Sequence, residues 1–149
     1  EGSLNLIPSG LFDNNIKLET VDFSNTKITL IPSNLFDNNI NLKSFCFKEC
    51  EKLVAIPENL FINNINLENC DYGFYNCKNL ALPINLFNAA AIQSKKPKFY
   101  RCFSVVNSTD SPTGAPYPFW NNITLSSRNY CYQNCSNLSN FATIPLYWK

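Results

Sequence analysis

One element recurs along this chain: Pro8-x-x-Leu11-Phe12, Pro32-x-x-Leu35-Phe36, Pro57-x-x-Leu60-Phe61 and Pro83-x-x-Leu86-Phe87, with a degenerate fifth copy at Phe119 in PFWNN. The spacing is roughly 25 residues, within the range of solenoids and arrays. A unit this short cannot bury its own apolar side chains, so it must stack on its neighbours. That requirement constrains the fold far more than the function.

Each repeat reads as three pieces. The first, PSGLFDNN at 8–15 and its counterparts at 32–39, 57–64 and 83–90, is expected to be a short helical turn. Proline is tolerated at a helix start, where its missing N–H has no partner. The Asn-Asn pair is expected to stop the turn, because asparagine tolerates the left-handed conformation. In the fourth copy Ala89 and Ala90 replace the asparagines, which predicts a longer helix. The second piece alternates at period two, the strand signal. It predicts inward pairs at Val21 and Phe23, Phe45 and Phe47, Tyr72 and Phe74, Pro97 and Phe99, and Tyr130 and Tyr132. The third piece is a small inward position after each strand, assigned to Cys50, Cys77, Cys102 and Cys135, with Asn25 as its earliest member.

Composition removes several functions. The chain has no histidine, the commonest general base and metal ligand. A thiol nucleophile needs a neighbouring base, so no catalytic residue is assigned. Net charge is +1, which lacks the basic stripe of a nucleic-acid or anionic-membrane surface. No stretch approaches the ~20 apolar residues that span a bilayer. The Cys46/Cys50 and Cys131/Cys135 pairs invite a metal reading, but zinc wants about four converging Cys or His ligands. Cys46 and Cys131 are expected on the outward side of their strands, so no metal and no cofactor is predicted. A disulfide from Cys70 to Cys46 or Cys77 stays open. The first repeat lacks its leading material, so further chain is expected N-terminal to Glu1.

The segments FKECEKLVAIP, FYNCKNLALP and YQNCSNLSNFATIP resemble the Phe-x-x-Cys-x-x-Leu-x-x-Ile-Pro signature of BspA-like leucine-rich repeats, and the Pro-x-x-Leu-Phe-x-Asn-Asn element with the closing GAPYPFW and IPLYWK resembles variants of that class from gut and mucosal bacteria and their phages. The resemblance covers nearly the whole chain. It implies an α/β fold: a right-handed leucine-rich-repeat solenoid, with a parallel sheet on the concave face and short helices or 3₁₀ turns on the convex face. Residues 1–149 would be one domain of about five repeats, with an inserted loop near 103–118 and a C-terminal cap near 139–149. It also implies a non-catalytic binding module of adhesion or receptor recognition. The place would be a bacterial cell surface, a secreted protein or a phage tail. The partner would be a protein or glycan on a host or neighbouring cell. The alternative is a structural spacer in a larger surface or tail protein.

Outward strand positions and the insertion are the freest to recognise a ligand, because stacking constrains the rest. The candidate ligand-binding residues are Tyr75, Lys96, Lys98 and Tyr100 on the strands, and Asp110, Tyr117 and Trp120 in and after the insertion. Exposed aromatics beside cations suit a protein or glycan contact. Gly73, Cys131 and Asn129 are placed on the same outward side.

Overall fold

The structure is a computed structural model that describes residues 3–107, 109, 112–114 and 129–149. Strand β1 (Thr20–Asp22) pairs in parallel with β2 (Ser44–Cys46), in the register Thr20↔Ser44, Val21↔Phe45 and Asp22↔Cys46. Parallel bridges carry this row on through Ser44↔Asn69 and Asn69↔Lys98. A second row runs through Ala55↔Ala81 and the parallel pair β3 (Ala81–Leu82) with β4 (Thr113–Gly114). A third contact row pairs Phe61 with Phe87. At each of these phases, then, one repeat lies on the next in the same direction.

Two aromatic columns fill the space between the rows. Phe12, Phe36, Phe61 and Phe87 stack at 6.0, 5.5 and 5.4 Å between ring centroids, with the planes within 13° of parallel. Phe36 and Phe61 are fully buried and the outer two partly so. Phe119, expected to continue this column, lies outside the described residues. The second column runs Phe23, Phe47, Phe74, Phe103, Tyr132 and Trp148, at 5.3 to 6.3 Å per step. Pairs of this kind add about 0.5–1.5 kcal/mol each beyond area burial. Trp148 ends the column and is buried, whereas Leu146 and Tyr147 project outward. Within the cap expected near 139–149, Trp148 is the residue that covers the end of this column.

The Pro-x-x-Leu-Phe segments form successive tight turns instead of α-helices. In the first, Leu11 N–H donates to Pro8 O, Asp13 to Gly10 O, Asn15 to Phe12 O and Leu18 to Asn15 O. The α-helix α1 (Ala89–Lys95) forms where the alanines replace the asparagines. Elsewhere the asparagines do not stop a helix in the left-handed conformation. They form a ladder. Asn39 Nδ2 donates to Phe12 O (3.1 Å) and Asn15 O (2.8 Å), and Asn64 Nδ2 to Phe36 O (3.1 Å) and Asn39 O (2.8 Å). Exposed rungs run beside these, from Asn41 to Ile16 O and from Asn66 to Ile40 O. A carboxamide reaching back one turn supplies a donor that a turn without a strand ladder otherwise lacks. This accounts for the asparagine-rich sequence.

The small inward position is Thr26, Cys50, Cys77 and Cys135. Each donates to a carbonyl: Thr26 to its own Phe23 O, and the thiols to Phe23 O, Phe47 O and Phe103 O one turn earlier, at 3.0–3.1 Å. Cys102 is not a member. In the fourth repeat Phe103, not Phe99, occupies the column position, so Cys102 falls one place before it, level with Gly73 and Cys131. Asn25 is likewise one place early: it shares a left-handed φ with Glu49, Asn76 and Asn134. All seven cysteines are free.

Candidate functional site

The register of the later repeats decides what faces outward. From Ser44 to Asn69 the rows run evenly, but Phe47 N–H donates to Gly73 O. Two extra residues have therefore entered the third strand between Asn69 and Phe74. The fourth and fifth strands carry the same bulge: Tyr72 N–H donates to Tyr100 O, Phe74 to Cys102 O, Arg101 to Asn129 O and Phe103 to Cys131 O. The bulged residue takes a left-handed φ each time: 58° at Tyr72, 50° at Arg101 and 59° at Tyr130. An extra residue of this kind re-aims the side chains around it.

The expected alternation is overturned here. Tyr72 and Tyr130, placed inward by period two, are 36% and 46% exposed. Gly73 and Cys131, placed outward, are buried. A Cβ on Gly73 would lie 2.5 Å from Phe45 Cε2 and 3.2 Å from Cys102 Sγ. The glycine therefore lets the Phe45 ring lie against the third strand. Cys46 is half-buried, and Cys70 lies in the core opposite Phe45 and Phe99.

Four tyrosines consequently form one outward strip. Tyr75 meets Tyr72 edge to face at 5.5 Å, Tyr72 meets Tyr100 at 5.4 Å, and Tyr100 meets Tyr130 at 6.2 Å, each with planes at 78–79°. The Arg101 guanidinium lies 5.5 Å from the Tyr100 centroid and 5.7 Å from that of Tyr130. Lys48 Nζ sits 5.8 Å from the Tyr75 ring. Beyond Tyr130 a depression of about 380 Å³ opens between Asn129, Tyr130, Leu146 and Tyr147. Asp71 Oδ1 accepts the Tyr100 N–H at 2.6 Å. Burial raises the pKa of the Asp71 carboxyl despite that bond and the nearby Lys98.

Of the candidates read from sequence, Tyr75 and Tyr100 belong to this strip. Lys98 borders it through Asp71, and Lys96 is exposed, with a φ of 50°. Asp110, Tyr117 and Trp120 lie outside the described residues. Tyr72, Arg101 and Tyr130 were missed. Their signal was present: DYGFYNC and NYCYQNC align without a gap, and YRCF aligns with both once Phe103 replaces Phe99 as the anchor.

Burial raises the pKa of every thiol, Cys46 included. It pushes those of Cys70, Cys77, Cys102, Cys131 and Cys135 well above the ordinary range. Among the described residues no group of three potential metal ligands converges, and no helix is long and apolar enough to cross a membrane. No family model, curated protein or solved structure matches the chain.

Proposed function

We propose that this chain is a non-catalytic binding module, a leucine-rich-repeat-type solenoid that recognises a partner through its outward strand face. One observation carries the reading. Tyr72, Arg101 and Tyr130 occupy left-handed backbone positions, where an unbranched small residue is cheaper. Half of the non-glycine residues with positive φ among those described are asparagines, at 25, 59, 76, 79 and 134. The bulge instead carries two tyrosines and an arginine, at a strain of order 1 kcal/mol each. Large side chains at such positions, the two tyrosines exposed and Arg101 half-buried against their neighbours, fit recognition better than stability.

The partner would be a protein or glycan on a host or neighbouring cell, with the module at a bacterial surface or, alternatively, on a phage tail. A second reading, a structural spacer, draws support from the apolar side chains left uncovered on the first turn, Leu4, Leu6, Leu11 and Ile16. Substitution by asparagine separates the two. For Tyr72→Asn and Tyr130→Asn, recognition predicts unchanged or slightly raised thermal stability with loss of binding on a glycan and mucin array. Unaltered array binding in both variants would refute the strip as the site. A marked fall in melting temperature would show that the tyrosines serve packing.

A further inference from the structure

The strip has a repeat of its own, and that repeat selects a ligand geometry. Tyr72, Arg101 and Tyr130 occupy one equivalent bulge position on three successive turns. The two tyrosines are therefore in phase and two turns apart. Parallel neighbours lie 4.7–4.9 Å apart, so the two-turn pitch is about 9.6 Å. Tyr100, on the middle turn, stands edge-on to both, at 79° to Tyr72 and 78° to Tyr130. Along the stack the strip therefore presents two in-phase tyrosines, one two-turn pitch apart, with the edge-on Tyr100 between them.

A polyproline II helix rises 3.1 Å per residue with three residues per turn, which repeats every ~9.3 Å. The two pitches agree within about 0.3 Å over one repeat. Every third residue of such a strand, laid along the stack, meets an in-phase tyrosine. Aromatic-lined grooves take proline in this way because the segment is already extended and loses little entropy on docking. The carbonyls of a polyproline II strand make no internal hydrogen bonds, and tyrosine hydroxyls and guanidinium N–H groups are donors for them.

Charge narrows the choice further. Arg101 lies between the two tyrosines, its guanidinium held over the Tyr100 and Tyr130 rings. The ion pairs of the described residues are Lys43–Glu19, Lys48–Glu49 and Lys78–Glu51, so Arg101, half-buried with its Nε covered, has no carboxylate among them. A planar guanidinium fixed by stacking is preorganised for a carboxylate. We propose that the strip binds a proline-rich, acidic segment of a partner protein, in polyproline II conformation, with prolines against Tyr72 and Tyr130 and a carboxylate on Arg101. This rests on the strip being a recognition surface and names what that surface takes.

The test uses fluorescently labelled peptides of four Pro-Pro-Glu repeats, titrated by anisotropy against the whole chain under reducing conditions. Peptides of four Pro-Pro-Arg and four Gly-Gly-Glu repeats serve as comparisons. Saturable binding of the first is expected, with both comparisons weaker by about tenfold or more. Tyr130→Ala and Arg101→Gln should each weaken it by about tenfold while the thermal transition stays in place. Equal binding of the glycine peptide would overturn the polyproline requirement, and equal binding of the arginine peptide the carboxylate. No saturable binding of the Pro-Pro-Glu peptide, or binding unmoved by either substitution, would overturn the whole proposal. If a glycan on the array binds instead and Tyr130→Asn abolishes it, the recognition surface stands and the peptide class falls. If neither ligand type binds, both fall.

Discussion

Asn64→Ala tests whether the asparagine ladder holds the stack together. Asn64 is 2% exposed, and its Nδ2 donates to Phe36 O and Asn39 O. Each of these carbonyls keeps one backbone donor, Asn39 N–H and Leu42 N–H respectively, so neither is orphaned by the change. Two net hydrogen bonds are lost, about 1 kcal/mol each. A small cavity adds to that. Against it, Asn64 Oδ1 is buried without a hydrogen-bond partner among the described residues, and its removal returns about 1 kcal/mol. The net cost is ~1–3 kcal/mol. Asn64→Asp should be worse, at least ~3 kcal/mol, because a carboxylate replaces the donor in front of two carbonyl oxygens. Asn66→Ala is the internal comparison: it loses a 3.0 Å bond to Ile40 O at an exposed site and should cost about 0.5 kcal/mol. Urea unfolding followed by circular dichroism measures all three. If Asn64→Ala costs no more than Asn66→Ala, or if Asn64→Asp is tolerated at pH 7, the ladder does not carry the stability assigned to it.

Stability should fall steeply as pH rises above about 9. The thiols of Cys70, Cys77, Cys102, Cys131 and Cys135 are held protonated by burial. The unfolded chain releases those protons near pH 8.5–9 while the folded chain keeps them, so the unfolded state binds fewer protons and each unit of pH costs up to ~1.4 kcal/mol per thiol. Thermal melts with a reductant at pH 7 and pH 10 check this, and equal melting temperatures would refute it. Gly73→Ala should cost about 1–3 kcal/mol, because its Cβ meets the Phe45 ring at 2.5 Å. Combining it with Phe45→Leu should recover part of that loss in chemical denaturation. In native alkylation followed by mass spectrometry, half-buried Cys46 should react first, and early labelling of Cys70 or Cys102 would contradict their burial.

The repetition itself was legible from residues alone. Proline, leucine and phenylalanine at fixed spacing leave a short unit no way to bury its apolar side chains except by stacking. The Phe12–Phe36–Phe61–Phe87 column follows directly from that spacing. Helix α1 follows from the alanines that replace a ladder asparagine pair. What a linear reading could not settle was register. Period-two alternation assumes that every residue advances the strand by one place, and a bulge breaks that count by two. Whether Phe99 or Phe103 joins the column depends on the hydrogen bonds to the neighbouring turns, Phe74 N–H to Cys102 O and Phe103 N–H to Cys131 O. Those contacts join residues distant in sequence, so the alternation within a single strand does not encode them, and only the alignment of one repeat with another carries a trace of them. They moved Gly73 and Cys131, expected outward, into the core and turned Tyr72 and Tyr130, expected inward, out. The repeats thus determined that this chain stacks, while the pairing between turns alone decided which side chains the stack turns outward.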